Sequence, residues 1–523
     1  MSKIVNEVVE PSNKENKPTD HINHVNSNVK KNVNEKNIIR KLGIIETYFH
    51  NEIENGSSIN ASTITISSKV DLFENFELFN KAVRLWKKTQ PLLRSKVIQL
   101  DEVNNQNNTQ KSNSNDMNHF NKYFAYVSQE NDDSKIHDKL DNVNYLYFKF
   151  STSEINNYDN CGDLWKLLIE REISIPIDWK NGPMWRLTLI NLNKEKNAND
   201  LYEYCLIITV SHAIFDGTSA FVSLVSLFTI LEYLFENKSH HDSINEHLID
   251  AKVMKPVEEC AMNHLEKSNM SYEQLADYKK IGGFKRPSSF IINNENDRTH
   301  YIPIEKLSSN SDQIKLGGFY SALNNQLVIN LDDLLEISKN SVTKFYLNVF
   351  EGEKYEKFLA TCKSKNAKIT GVFNTIFIIA WRMAYKKFSS NLIDHHDGIL
   401  NEKIHYLTIV NLRSFVKDID LTSLVWFCNN LYNSYDESFN TKDEDFWHYK
   451  FWLFARQESE TFHDRLKRGE QFKLLESSAP INPDETRLHY GLSNLVVPNE
   501  LTKEIKLFKI NELFTLTSYR KDW

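Results

Sequence analysis

Apolar residues recur along the chain with two different periods, and the pattern predicts strands that alternate with helices. Residues 206–210 form an apolar run rich in β-branched side chains, which is typical of a buried strand. Residues 217–235 are apolar over a length that indicates a buried helix. Residues 62–67 alternate as a strand does, and residues 72–88 have helical spacing before Pro91. The first half of the chain is therefore expected to be of the α/β class.

The second half has the same alternation of elements. Its predicted elements are helices at 353–364, 371–387 and 447–460, strands at 404–410 and 489–498, and a closing hairpin made by 507–510 and 514–519. Thr370 is expected to cap the second of these helices, because its hydroxyl can accept a hydrogen bond from the first turn. The pattern therefore predicts a second α/β unit after the first.

Three regions follow from these patterns. Residues 1–36 have little apolar periodicity and predict a disordered tail. An N-terminal domain is expected at 37–335, where its last part forms a weakly patterned crossover, and a C-terminal domain is expected at 336–523.

Composition, charge and cysteine spacing argue against several classes of protein. The 523 residues carry a net charge of -7, which argues against a nucleic-acid-binding face. The five cysteines are widely spaced without a C-x-x-C pair, so neither a disulfide framework nor a zinc cluster is expected. Two adjacent histidine pairs, at 240–241 and 395–396, lie in polar stretches and are expected to be loop residues, so no metal site is predicted.

The sequence also predicts the cellular compartment of the protein. The first 20 residues have no apolar core of the kind found in signal peptides. Residues 217–235 approach the length of a membrane span, but they include Ser223, Ser226, Thr229 and Glu232, which favour a buried helix over a transmembrane segment. A cytoplasmic location is expected, with peripheral contact to membranes left open.

The predicted central strand ends in His212-x-x-x-Asp216-Gly217, immediately before the long helix. An imidazole held at the end of a rigid strand has a pKa in the range that lets it take and return a proton. Gly217 is expected to meet a backbone requirement of the turn. A single histidine beside an apolar strand is more often a structural residue, so the motif alone leaves a catalytic and a structural interpretation open.

Several further motifs occur in a fixed order along the chain. They are Pro-Leu-Leu-Arg at 91–94, Gly-Pro-Met-Trp-Arg-Leu at 182–187, the histidine motif at 212–217, the helical pair at 358–363 and 368–380, Val-Asn-Leu-Arg at 410–413 and Ser-Asn-Leu at 493–495. Together they resemble the CoA-dependent acyltransferase superfamily, which includes chloramphenicol acetyltransferase, alcohol O-acetyltransferases and the condensation domains of peptide synthetases. The resemblance covers about residues 40–515.

The resemblance implies two similar chloramphenicol acetyltransferase-like α/β domains with an active-site tunnel between them. It implies an acyltransferase that moves an acyl group from a thioester, with acyl-CoA as a co-substrate and no permanently bound cofactor, to a small alcohol or amine. His212 would be the general base, and Asp216 would be a structural residue of the site held by an arginine. Arg413 is the first expected partner of Asp216 and Arg94 the second.

An oxyanion forms during acyl transfer and needs a hydrogen-bond donor. The late Ser-Asn-Leu motif offers Ser493 and Asn494 for this role or for contact with substrate, provided that its strand faces the tunnel. Trp185, Phe215 and Phe373 are expected to belong to the core, because large aromatic side chains are more often buried in the interior than exposed to a ligand.

Two departures from the family pattern refine this expectation. Condensation domains usually carry a second histidine before the catalytic one, and Ser211 stands at that position here. No carrier-protein or adenylation domain is expected in the chain, and the D-F-G-W-G motif of the plant acyltransferases is absent from the sequence. The serine and the absence of those domains favour a stand-alone enzyme that uses a thioester such as acyl-CoA, and the missing plant motif argues against the plant branch. The resemblance is closest to the alcohol O-acetyltransferases and condensation domains, and it implies an O-acyltransferase of the alcohol acetyltransferase type. A condensation enzyme that uses a carrier-protein thioester, and a non-catalytic condensation-like binding module, remain the alternatives.

Overall fold

Strands and helices alternate in the computed structural model of the protein, so the chain is of the α/β class. The structure describes residues 38–54, 58–99, 122–126, 145–148, 164–174, 177, 179–180, 182–192, 196–236, 253–267, 319–321, 326–328, 352–389, 399–400, 403–416, 419, 428–435, 437–472, 490–493 and 506–517. The expected disordered tail, both histidine pairs and Asn494 lie outside the described residues.

Fifteen strands and eight α-helices lie in the described segments. The strands are β1 (Ile38–Lys41), β2 (Ile59–Ser68), β3 (Ser95–Gln99), β4 (Lys122–Tyr126), β5 (Tyr145–Phe148), β6 (Trp185–Asn191), β7 (Tyr202–Ser211), β8 (Phe319–Ser321), β9 (Gln326–Val328), β10 (Ile399–Leu400), β11 (Ile404–Asn411), β12 (Cys428–Tyr435), β13 (Phe439–Asn440), β14 (Tyr490–Ser493) and β15 (Phe508–Thr517). The helices are α1 (Ile44–Glu54), α2 (Phe76–Thr89), α3 (Leu164–Ser174), α4 (Gly217–Glu236), α5 (Val257–Lys267), α6 (Gly352–Ser364), α7 (Ile369–Ser389) and α8 (Phe451–Lys467).

The larger sheet has seven strands in the order β15-β2-β7-β6-β5-β9-β8. Strand β7 lies between β2 and β6 and is antiparallel to both, while β5 and β6 are parallel. Strands β6 and β7 form an antiparallel pair immediately before the histidine motif. Because β7 has a bonded strand on each side, the residue that follows it starts from a well-fixed backbone.

We call the seven-stranded sheet and the helices packed on it the first unit. Helix α4 is part of its core. Leu224, Leu227 and Leu231 are fully buried in one cluster with residues of β2, β6 and β7. By length and composition α4 is the one described helix that could cross a membrane, and 67% of its apolar window is buried inside the protein. Its apolar residues are therefore used in packing against the sheet.

The second unit is built on a three-stranded sheet in the order β12-β11-β14. Strand β11 is antiparallel to β12 and parallel to β14. Helices α7 and α8 pack closely at Gly371, where a Cβ atom would lie 2.2 Å from Ser459 Oγ and 2.5 Å from the Ala455 carbonyl oxygen. A glycine is needed there because any side chain would force the two helices apart.

The end of the chain does not form the expected hairpin. Residues 508–517 form a single strand, β15, which pairs with β2 in the larger sheet and has an irregularity between Ile510 and Glu512. That irregularity interrupts the alternation, which made one strand look like two in the sequence. The last strand of the chain therefore belongs to the sheet of the first unit.

Three smaller expectations also need correction. Helix α7 begins at Ile369, so Thr370 lies inside the helix and is not its cap. The expected helix at 447–460 begins as a π-helical turn, Phe446–Lys450, which continues directly into α8. Trp185 and Phe215 are fully buried as expected, whereas Phe373 is only partly buried.

Candidate active site

His212 directly follows β7, and the neighbouring backbone fixes its position. Its backbone N–H donates to the Ser58 carbonyl oxygen over 3.0 Å, and the N–H of Ser211 donates to the Met184 carbonyl oxygen over 3.0 Å. Ser58 has a φ of 59°, a left-handed conformation that costs a non-glycine residue about 1–2 kcal/mol. The start of the turn is thus held from both sides, by the segments that lead into β2 and β6.

The imidazole of His212 has a defined orientation. Its Nδ1 lies 3.0 Å from the carbonyl oxygen of Phe215, in the same turn. A carbonyl oxygen can only accept a hydrogen bond, so Nδ1 carries the proton and Nε2 is the unprotonated nitrogen of the neutral ring. The ring of Phe49, from α1, lies against the imidazole with 4.5 Å between centroids.

Burial lowers the pKa of His212 below its ordinary value, although the Phe215 hydrogen bond and the charge of Asp216 act in the opposite direction. Burial disfavours the charged imidazolium because the surrounding protein replaces the water that would solvate it. His212 is therefore neutral near pH 7 and has the protonation state that a general base requires.

Asp216 caps the N-terminus of α4. Its Oδ1 accepts a hydrogen bond of 2.9 Å from the backbone N–H of Ser219, and its carbonyl oxygen accepts one of 2.9 Å from Ala220. This is the N-cap geometry, in which a short acidic side chain satisfies a first-turn N–H and lies at the positive end of the helix dipole. An aspartate immediately before a long apolar run is the sequence signal of such a cap.

A residue of the second unit binds the other oxygen of Asp216. Nη1 of Arg413 donates to Oδ2 over 2.7 Å, while Nη2 donates to Ser219 Oγ over 2.8 Å. Both charged side chains are buried, with exposures of 4% and 3%. Although burial raises the pKa of Asp216, the Arg413 charge and these hydrogen bonds outweigh it and hold that pKa below the ordinary value.

Cys428, the first residue of β12, is the third donor to Asp216. Its Sγ lies 3.0 Å from Oδ2. Burial, followed by the negative charge of Asp216, raises the pKa of this thiol well above its ordinary value, so it is protonated and donates. The spacing of the cysteines along the chain does not indicate this contact.

Asn411 makes a second connection between the two units. Its Nδ2 donates to Thr218 Oγ1 over 3.1 Å, and its Oδ1 accepts from the backbone N–H of Arg413 over 3.0 Å. Asn411 thereby caps the short 3₁₀ turn Leu412–Ser414 that carries Arg413. The residue lay inside a motif noted in the sequence, but only its neighbour Arg413 was assigned a role.

An apolar cluster also connects the two units. One cluster joins Ile45 of α1 and Val257 of α5 to Val410, Leu412 and Leu431 of the second unit. The two units therefore meet through an apolar core as well as through the buried ion pair, and the site lies where they meet.

The other expected site residues are placed differently. Asp216 is bound by Arg413 and not by Arg94, whose guanidinium instead lies over the ring of Tyr126 at 5.0 Å. Gly217 is the first residue of α4, and positive φ values among the described glycines occur at Gly182, Gly352 and Gly469. A left-handed backbone is therefore not the reason for a glycine at position 217.

Ser493 is the last residue of β14 and is exposed. It pairs with Ile409 of β11, two residues before Asn411. The two parallel strands therefore end at the same end of the sheet, where Asn411 contacts α4. Within the segments that the structure describes, no three His, Cys, Asp or Glu side chains lie close enough together to hold a metal ion.

No protein-family model matches the sequence, and no curated protein matches it. Among solved structures, the chain is similar to the first condensation domain of the calcium-dependent antibiotic synthetase, with 11% identity over 92% of this chain and 85% of that one and a TM-score of 0.49. It is similar to the trichothecene 15-O-acetyltransferase TRI3 of Fusarium sporotrichioides, with 10% identity over 92% and 86% and a TM-score of 0.48.

A third similar structure is F. sporotrichioides TRI101 complexed with coenzyme A and T-2, with 13% identity over 91% of this chain and 88% of that one and a TM-score of 0.42. Condensation domains and acetyltransferases are the classes of protein that the sequence motifs resemble. At these identities and TM-scores the likeness assigns no activity, so a function has to be argued from this chain's own residues.

Proposed function

We propose that the protein is an acyltransferase that moves an acyl group from a thioester to a hydroxyl or amine, with His212 as the general base. The observation that carries the proposal is the 3.0 Å contact between Nδ1 of His212 and the Phe215 carbonyl oxygen, because it leaves Nε2 as the basic nitrogen. The lowered pKa of His212 keeps that nitrogen unprotonated at neutral pH. A positioned neutral imidazole is the group that acyl transfer to an alcohol or amine requires.

The chemistry needs only one proton to move back and forth. Nε2 of His212 takes the proton of the acceptor as its oxygen or nitrogen attacks the thioester carbonyl. The tetrahedral intermediate then expels the thiolate, and the imidazolium returns the proton to the departing sulfur. An ester or amide and a free thiol are the products, and no covalent enzyme intermediate is required.

The negative oxygen of the intermediate needs a hydrogen-bond donor. The Ser493 hydroxyl is the candidate from the described residues, because it is exposed at the end of β14 beside β11. Asn494 follows it in the sequence and remains the second candidate.

Asp216 serves in this mechanism as a structural residue. Both of its carboxylate oxygens accept hydrogen bonds, from Ser219, Arg413 and Cys428, and its lowered pKa makes it a weak base. It holds the first turn of α4 and thereby the loop that contains His212 and Phe215. Arg413 and Gly217 belong to the same structural assembly.

Acyl-CoA is the proposed donor and a small alcohol the proposed acceptor, which corresponds to the alcohol O-acetyltransferase type. Ser211 in place of a second histidine supports this choice over a condensation enzyme. The proposed location is the cytoplasm. A carrier-protein thioester as donor is the alternative that the experiment below has to distinguish.

The test is a free-thiol assay with a panel of acyl-CoA donors, with and without mixed alcohols and amines. We expect acceptor-dependent release of CoA by the wild-type protein and loss of at least about 100-fold in kcat/KM for His212→Ala. His463→Ala is the matched control, because its Nδ1 also contacts a backbone carbonyl oxygen, that of Ser459, but on α8. This control is expected to retain wild-type turnover.

Wild-type turnover by His212→Ala would remove His212 from the mechanism. Release that requires an acyl carrier protein in place of CoA would establish the condensation-type donor. Binding of acyl thioesters without any release, from either donor, would identify a non-catalytic binding module.

A further inference from the structure

In the described segments, the large apolar side chains that are exposed lie almost entirely on three neighbouring elements of the second unit. Of the eight found in the described segments, Val253 lies alone, whereas seven lie on α6, α7 and the π-helical turn: Tyr355, Ile376, Phe377, Met383, Tyr385, Trp447 and Tyr449. Exposed apolar residues that are scattered singly need no explanation, but a concentration of them marks an interaction surface.

Helix α7 is apolar on both of its sides. Ile378, Ile379 and Arg382 lie on its inward side and are buried in the interior of the second unit. On the opposite side, Ile376, Phe377 and Met383 are 38%, 43% and 50% exposed, and Ala380 and Ala384 lie between them at helical spacing. The outward side therefore presents an apolar stripe where a surface helix normally carries polar residues.

Basic residues border this stripe. Phe358 of α6 contacts Phe373 at the beginning of the stripe, with 5.8 Å between ring centroids, which places α6 beside the outward side of α7. Residues 352–389 contain eight Lys and Arg but only two Glu, in a chain whose net charge is -7. The exposed basic residues of this segment are Lys354, Lys357, Lys363, Lys365, Lys368 and Lys387.

Two further exposed aromatic side chains lie on the π-helical turn. Arg382, next to Met383, lies over the ring of Phe439 at 5.3 Å, and Phe439 contacts Phe446 with 5.8 Å between centroids. Phe446 in turn contacts Trp447 at 4.9 Å. Trp447 and Tyr449 are 50% and 66% exposed, but this chain of contacts starts from the buried side of α7.

We propose that this surface, the outward side of α7 with α6, binds an anionic lipid bilayer. An apolar helix face bordered by lysines is the pattern of proteins that lie in the membrane interface. Lysines next to the apolar stripe attract anionic headgroups, while Phe377 and Met383 enter the acyl boundary.

A second copy of the chain is a poorer occupant of the same surface. In a two-fold symmetric contact the same patch meets itself, so the net positive charge of residues 352–389 would face the same charge on the other copy. Repulsion between like charges opposes that contact, whereas an anionic bilayer satisfies both the charge and the apolar stripe.

The test is flotation of the full-length protein with phosphatidylcholine vesicles, with and without phosphatidylserine. We expect binding that requires phosphatidylserine and weakens with added salt. The double variant Phe377→Glu and Met383→Glu is expected to lose this binding. Val253→Glu is the matched control, because Val253 is 40% exposed but lies outside the surface, and it is expected to bind as the wild type does.

Neutralising charges provides a second variant. Lys363→Gln with Lys365→Gln is expected to weaken binding by about fivefold for each lysine removed. Absence of wild-type binding to anionic vesicles, or equal binding by the Phe377→Glu and Met383→Glu variant, would overturn the proposal. A wild-type dimer in gel filtration that this variant dissociates would also overturn it, because the stripe would then be covered by a second copy.

Discussion

At the residue scale, the environment of His212 decides what its imidazole can do. The motif in the sequence predicted the residue, because the histidine ends an apolar strand and precedes a long helix. The sequence could not predict the tautomer, because that depends on the fold of the turn that brings the Phe215 carbonyl oxygen to Nδ1. It also could not predict the lowered pKa, because that results from burial by residues distant in the chain, such as Phe49.

The pH dependence of turnover follows from that pKa. Only the neutral imidazole can act as a base, so protonation of His212 abolishes activity as the pH falls. Because burial lowers the pKa of His212 below its ordinary value of 6.5, we expect the acid limb of kcat/KM to lie below pH 6.5. The measurement is kcat/KM of CoA release between about pH 4.5 and 8. An acid limb centred above pH 6.5 would contradict the assigned role or the burial of the imidazole.

At the element scale, the junction between β7 and α4 is held by partners from the other unit. The bounds predicted for α4 are nearly correct, because the helix is one continuous apolar run. The apolar run at 206–210 located β7, but the strand begins four residues earlier, at Tyr202. Arg94 and Arg413 both follow a leucine in short motifs, so sequence alone could only rank them. Arg413 reaches Asp216 because Asn411 caps the 3₁₀ turn that carries it, a contact that depends on the tertiary fold.

The buried ion pair gives a prediction for stability. Arg413→Ala removes the main counter-charge of Asp216, so we expect a loss of about 3–5 kcal/mol in the free energy of unfolding. Asp216→Asn is expected to destabilise as well, because it leaves the Arg413 charge buried without its carboxylate. Both variants are expected to lose activity in the CoA assay.

Arg94→Ala is the matched control for these variants, since its guanidinium lies over Tyr126 and not against Asp216. Urea unfolding followed by circular dichroism measures the three variants on the same scale. The assignment of the ion pair fails if Arg413→Ala is no less stable than Arg94→Ala.

At the scale of the whole molecule, the two units share structure beyond the ion pair. The α/β class and the order of elements followed from local apolar patterns, which the sequence contains in full. The pairing of β15 with β2 could not be predicted from local patterns, because the two segments are more than 400 residues apart. The bulge near Asn511 also interrupts the alternation of the strand. Local periodicity predicts that a strand forms but not which sheet it joins.

The position of β15 predicts that a change near the C-terminus weakens the N-terminal sheet. Phe508 is 2% exposed and packs against Phe228 of α4, with 5.2 Å between ring centroids. We expect Phe508→Ala to cost about 3–5 kcal/mol and to increase amide hydrogen exchange in β2. Lys509→Ala, which changes the next, exposed residue of the same strand, is expected to leave that exchange unchanged. If Phe508→Ala increased exchange in β11, β12 and β14 while β2 kept wild-type protection, the C-terminal strand would belong to the second unit and not to the sheet that positions His212.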